Sequence, residues 1–329
     1  MIGIFRQKTP ANVIILTMFA LVIKLPMFVN PYVPAIHPKD GILFHTILSW
    51  IQPLGDSVPV IYPLLAFSFL LIQAFWLNGL MNTQRMMTRS NFLPAMSFIL
   101  ITSLFPEWNY FSAPLIANFA LLFVLNKSFN IYNQSAGKST IFNMGLAIGI
   151  ASFLFFPSIA FLILALFALM IMRPFRFNEW LICLLGITAP FYFYIIYLVV
   201  AGNWDPQRLL PYVNIKMPSF MQSIWIAGSA LLLVVPFLIG GYFVQDNLRR
   251  MLIQVRKGWS VILIFILVAI LVPFINNAST FENWVLAALP FAAFHSCTYF
   301  YPLNKLFPLV LFWITAAFIL SFQYLGPGW

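Results

Sequence analysis

Residues 247–275 read NLRRMLIQVRKGWSVILIFILVAILVPFI, in which Arg249, Arg250, Arg256 and Lys257 lead directly into a stretch, 260–275, that carries no charge. Uncharged side chains of this kind favour a hydrocarbon environment, and Lys and Arg collect on the cytoplasmic flank of a membrane span. Within the basic part, Leu248, Met251, Leu252 and Val255 share one helical face and the cations occupy the others. The segment 245–259 is therefore predicted to be a cytoplasmic amphipathic helix lying against anionic lipid.

The same alternation fills the chain. Of 329 residues, 62% are hydrophobic and 7% charged, against about 25% charged in an ordinary soluble domain. The mean hydropathy is +0.95. These values exclude a soluble globular protein. A crossing needs about 20 residues for a core about 30 Å thick, and apolar segments stand near 12–29, 58–80, 92–105, 112–126, 140–156, 158–172, 180–201, 220–244, 260–275, 284–301 and 306–324. The prediction is an all-α polytopic transmembrane bundle of about eleven spans (ten to twelve), forming one integral membrane domain over 1–329. The short pair 92–105 and 112–126, separated by PEWNYFS, predicts a tilted hairpin or a re-entrant pair, and Pro157 divides 140–156 from 158–172.

Charge orients the spans. The net charge of +10 comes from 17 Lys and Arg against 7 Asp and Glu. With the N-terminus inside, Arg6, Lys8, Arg85, Arg89, Lys127, Lys138, Arg173, Arg176 and the basic cluster above all fall on the cytoplasmic side, together with Lys305. Asp40, Asp56, Glu107, Asp205 and Glu282 fall outside. The first apolar run is preceded by basic residues and followed by no small-residue cleavage site, so it reads as a retained span with the C-terminus of the chain outside. No basic stripe or base-stacking module accompanies the charge, which excludes a nucleic-acid partner.

Chemistry-bearing residues concentrate on the outer side. The longest outer loop, 30–57, carries Ile42, Leu43, Ile47, Leu48 and Ile51 at helical spacing, with Trp50 suited to the headgroup level. An interfacial helix near 41–52 is expected, capped by Asp40. Phosphate loops, dinucleotide fingerprints, zinc-protease helices and nucleophile elbows are all missing. Cys183 and Cys297 lie inside apolar runs and indicate neither disulfide nor zinc site. His37 and His45 flank Asp40 at a spacing matching no standard ligand set, so no cofactor is expected, with a divalent metal left open. At membrane depth only Lys24 and His295 are ionisable; Lys24 is near enough to a span end to snorkel, and His295 reads as a satisfied core histidine.

The remaining outer groups are Asp40 with His37, Lys39 and His45; Glu107; Asp205 with Arg208 and Lys216; Asp56; and Glu282. A carboxylate can take a proton from an acceptor hydroxyl while Arg or Lys neutralises a phosphate leaving group. Those are the parts needed to move a sugar from a lipid phosphate. Asp40 is the expected base, Glu107 orients acceptor or metal, and Arg208 or Lys216 holds phosphate. His37, His45, Asp56 and Glu282 are secondary candidates.

This layout, with its acid-bearing first outer loop, interfacial helix, short acidic turn at PEWNYFS, RPFRFNEW turn and late ENWVLAALPF segment, resembles the membrane half of type C (GT-C) glycosyltransferases. The resemblance implies a catalytic acid in the first outer loop, at Asp40 or less well Asp56, an acid of the second outer loop at Glu107, and a polyprenyl-phosphate sugar as donor. It departs in lacking an adjacent acidic pair, since Asp40 stands between Lys39 and Gly41, and in having no outer globular domain after LGPGW. The chain as a whole also resembles polytopic inner-membrane protein families of Gram-negative bacteria, which implies location and not activity. Two other readings stay open: a non-catalytic membrane subunit or scaffold packed against membrane-protein partners, and a carrier of lipid or small solutes.

Overall fold

A computed structural model describes residues 2–34, 40–132, 137–202, 223–275 and 281–326. The described residues are helical throughout, with no strand beyond one isolated bridge. The α-helices are α1 (Ile2–Phe5), α2 (Ala11–Ile23), α3 (Pro26–Val29), α4 (Ile42–Ser57), α5 (Ile61–Thr83), α6 (Leu93–Thr102), α7 (Ala113–Asn130), α8 (Lys138–Leu154), α9 (Leu162–Met172), α10 (Phe177–Val200), α11 (Ile224–Asn247), α12 (Ile253–Leu271), α13 (Ala288–Phe300) and α14 (Leu306–Leu325). Five helical stretches, Ile61–Thr83, Phe177–Val200, Ile224–Arg250, Ile253–Phe274 and Leu306–Leu325, are long and apolar enough to cross a membrane. The chain is thus a helical, membrane-type protein. Other apolar helices are shorter, and α6 at 1.5 Å per residue extends only about 15 Å.

Local sequence explains most boundaries. Ser112 caps α7 by accepting the Leu115 amide at 3.4 Å, and Ser223 caps α11 by accepting that of Trp225 at 3.3 Å. Pro94 and Pro114 lie in first turns, where the missing amide costs nothing. Pro106 opens the single 3-10 turn Pro106–Asn109 between α6 and α7, giving the expected hairpin its bend. Pro157 stops α8 as expected, and the 3-10 segment Phe156–Phe161 leads into α9. The helix expected near 41–52 forms as α4, longer than expected at its C-terminal end because Pro53 is absorbed within it.

One local expectation changes. The amphipathic segment 245–259 is not a separate helix: α11 runs to Asn247, a 3-10 turn covers Leu248–Arg250, and α12 starts at Ile253 and continues into the apolar stretch. Met251 and Leu252 are both extended, with ψ of 153° and 150°, and these two residues break the helix between the turn and α12.

Packing places α6 and α13 at the centre. Every residue of α6 is buried, and so is nearly all of α13. A helix apolar on all sides belongs inside a bundle. The periphery is inverted relative to a soluble protein: only 22% of the apolar window is buried in α10 and in α11, and Phe193, Val200, Ile224 and Leu238 stand exposed. Broad exposed apolar faces on long helices fit a lipid surround.

Polar contacts sort into two ends. At one, Arg6 donates to the Tyr299 carbonyl at 2.7 Å, Gln254 to Gln84, and Lys257 lies over the Tyr132 ring. At the other, Ser229 donates to the Leu104 carbonyl at 2.7 Å and Gln323 to that of Ser103. They are called here the basic and the acidic end.

Candidate functional site

The acidic end is built on the turn Pro106–Asn109. The Phe281 amide donates to the Glu107 carboxylate, Trp108 Nε1 donates to the Phe281 carbonyl at 2.8 Å, and the Phe105 ring stacks on that of Phe281 with centroids 5.2 Å apart. Asn118 of α7 extends the seam by donating to the Val285 carbonyl at 3.1 Å. The 3-10 segment Phe281–Ala287 is thereby clamped onto the α6–α7 hairpin, which brings Glu282 as well as Glu107 into the surroundings of Tyr32.

A tyrosine pair marks their common neighbourhood. Tyr32 and Tyr110 stack with centroids 4.0 Å apart. Burial pushes the Tyr110 phenol up to about 12, helped by the charge of Glu107, then Tyr32 and Glu282. Tyr32 is raised as well, by burial first and then by Glu282 and Glu107. Both phenols stay protonated at neutral pH and are hydrogen-bond donors there. Beneath them, Lys24 does not snorkel. It is 1% exposed, and Nζ donates to Asn109 Oδ1 and, at 3.0 Å, to Thr102 Oγ1. The gap beside this cluster, lined by Asn30, Tyr32, Asn109 and Tyr110, is about 10 Å³, which is room for one water and no substrate.

The roomier space lies along α4, the helix that follows Asp40 and Gly41. Asp40 forms an antiparallel bridge with Phe155, and the Gly41 amide donates to the Leu154 carbonyl at 2.8 Å. A Cβ on Gly41 would run into the Phe153 carbonyl, so only glycine allows this close backbone approach. Docked in this way on the end of α8, α4 sets off with Ile42, Leu43 and Thr46 facing Ile150 and Phe153 of α8 and Pro190, Tyr194 and Tyr197 of α10. These residues line a groove of about 560 Å³, within the range of small-molecule sites and chiefly apolar. The Thr46 hydroxyl is occupied by the Ile42 carbonyl at 3.0 Å.

The sequence candidates therefore divide. Glu107 and Glu282 come together at the tyrosine pair, and Asp40 sits at the head of the groove helix, held by α8. Asp56 is exposed near the other end of α4, close to Tyr62, and His45 is half-buried on α4 next to groove residues. His37, Arg208 and Lys216 lie outside the described residues. Among the described residues no group of three His, Cys, Asp or Glu is placed to hold a metal ion.

Sequence reading missed the groove and the burial of Lys24. The available signal for the groove was Pro190 followed by Tyr194 and Tyr197, one helical turn apart. For Lys24 no local signal existed, since Thr102 and Asn109 are far along the chain.

His295 has a structural explanation. Pro236 in α11 has no amide to donate to the Leu232 carbonyl, and the helix around it takes side-chain contacts from α13. The His295 ring Nε2 meets the Leu233 carbonyl at 2.7 Å, and Thr298 donates to that of Pro236 at 2.6 Å. His295→Phe is expected to destabilise the protein by about 1–3 kcal/mol through an unsatisfied buried acceptor. A drop in the thermal midpoint of the detergent-solubilised protein measures it, and an unchanged midpoint refutes it.

Compared with protein-family models, with curated proteins and with solved structures, the chain matches none, so its functional reading rests on its own residues and geometry.

Proposed function

We propose that the protein is a bacterial inner-membrane enzyme, crossing the bilayer about eleven times with its N-terminus and basic end in the cytoplasm, that transfers a sugar from a polyprenyl-phosphate donor at the acidic, outer end in a GT-C-like manner. The observation that carries this reading is the apolar groove of about 560 Å³ whose roof, α4, begins two residues after Asp40. A long isoprenoid needs an apolar channel reached from the lipid, and its phosphate needs to lie beside the catalytic acid. Asp40 would accept the proton of the acceptor hydroxyl as the new glycosidic bond forms and the sugar–phosphate bond breaks, the polyprenyl phosphate leaving. Arg208 or Lys216, which follow α10 in sequence, would neutralise that leaving group. Glu107, engaged by the Phe281 amide, takes the part of a positioning residue that fixes the outer turns rather than that of a second base.

The same groove favours a second reading, a lipid carrier that performs no chemistry. One experiment separates them: mass spectrometry of polyprenyl-linked glycans in a deletion strain rescued with wild type, Asp40→Asn or Thr46→Trp. A transferase requires both variants to behave like the deletion, with Asp40→Asn slowing transfer by about 100-fold or more. A carrier fails only with Thr46→Trp, which fills the groove. Glycan profiles unaffected by the deletion overturn both and leave the subunit or scaffold reading.

A further inference from the structure

The basic end carries a second cavity, of about 370 Å³, between the C-terminal end of α5 and the turn joining α11 to α12. Arg85 and Arg250 line it, with the hydroxyls of Thr88 and Ser90 and the ring of Tyr301. No Asp or Glu stands among its lining residues, and among the described residues neither arginine has an ion pair, the ion pairs there being those of Arg173 and Arg176 with Glu179. The Tyr301 hydroxyl is buried and finds no hydrogen-bond partner among the described residues. Arg85 is the one non-glycine residue among them with a positive φ, 51°, a conformation that costs energy and is kept where the surroundings require it. Around it the backbone is stapled: Asn82 Nδ2 donates to the Asn91 carbonyl at 2.9 Å and Asn82 Oδ1 accepts the Asn91 amide at 3.1 Å.

Two unpaired guanidiniums, two hydroxyls and an unsatisfied phenol around one cavity make a donor-rich, acceptor-poor site, and the group that fits is a phosphate. Apart from Asn82, the remaining wall is apolar, formed by Met86, Met87, Met251, Leu252 and Val255; Leu252 is 66% exposed and Ile253 next to it 56% exposed. We propose that this cavity binds the phosphodiester headgroup of an anionic phospholipid, with its acyl chains descending over Leu252 and Ile253. Basic pockets between membrane helices have the chemistry for such headgroups. The site shares no lining residue with the groove, and α13, about 20 Å long at 1.5 Å per residue, separates Tyr301 from the turn that carries Glu282.

The test is native mass spectrometry of the full-length protein in detergent, titrated with phosphatidylglycerol or phosphatidylcholine, with inorganic phosphate as competitor. One phosphatidylglycerol is expected to be retained per chain in preference to phosphatidylcholine. Arg85→Gln with Arg250→Gln should weaken it about tenfold, as loss of charge-assisted bonds requires. The pair Arg89→Gln with Arg249→Gln, which removes the same charge outside the cavity, should not. Equal weakening by both pairs would mean diffuse surface attraction and would overturn the site. Displacement of the lipid by millimolar phosphate would overturn the lipid source in favour of a soluble phosphate compound. Should the double variant fail to fold, Tyr301→Phe decides: a several-fold loss supports the site, and unaltered retention refutes it.

Discussion

Gly186→Leu is expected to abolish recovery of folded protein. At the crossing of α8 and α10 the two backbones touch: a Cβ on Gly186 would meet the Phe142 carbonyl, one on Gly145 the Cys183 carbonyl, and one on Gly149 the Ile187 carbonyl at 2.7 Å and the Pro190 ring at 2.9 Å. Small residues spaced by four are what lets membrane helices approach so closely, because lipid offers no hydrophobic drive and contact has to come from backbone packing. The obstructing atoms are main chain, so no rotamer change makes room and the helices have to part along their length. A cost above about 4 kcal/mol is expected, comparable to the whole stability margin of many domains. Size-exclusion profiles of a fluorescent fusion measure the outcome. The control is Gly79→Leu on α5, where an added Cβ has nothing within 4 Å, and it should behave as wild type. A monodisperse Gly186→Leu protein at normal yield would show that the crossing is not as described, and with it the placement of Tyr194 and Tyr197 in the groove.

The second large effect is expected at the turn between α9 and α10. Arg173 and Glu179 pair at 3.1 Å with both side chains less than a tenth exposed, and Glu179 sits in the first turn of α10, where the helix dipole favours an acid. Arg173→Met leaves Glu179 without its buried counter-charge and should cost about 3–5 kcal/mol. Arg176 also approaches Glu179, at 3.9 Å, but it is 63% exposed, and Arg176→Gln should cost no more than about 1 kcal/mol. Replacing both Arg173 and Glu179 with Met should recover much of the loss, because removing the pair also removes its desolvation penalty. Thermal midpoints of the three variants and wild type form the test. Equal effects from Arg173→Met and Arg176→Gln would contradict the buried pair.

The sequence reading did not single out the glycine crossing: Gly145 and Gly149 stand four apart on α8, but their partner face on α10 appears only in the fold. The RPFRFNEW turn was visible, but nothing in it tells which arginine is buried with Glu179. The same limit applies to the candidate site. Asp40, Glu107 and Glu282 were legible as acids at the ends of apolar runs, where charges collect. The partner of Glu107, the Phe281 amide, stands 174 residues away, and the Lys24 contacts with Thr102 and Asn109 span 78 and 85 residues.

The sequence by itself determined the helical membrane class and several of the places where helices start and stop. These follow from local causes: hydropathy over a span, prolines without an amide to donate, serine caps and flanking charge. Only the tertiary structure decided that Lys24 is buried, that Glu107 is held by Phe281, and that α4, α8 and α10 leave a groove along the helix that follows Asp40. Those depend on which apolar faces of similar composition pack together, a choice fixed by side-chain shape and backbone contact between helices distant in the chain.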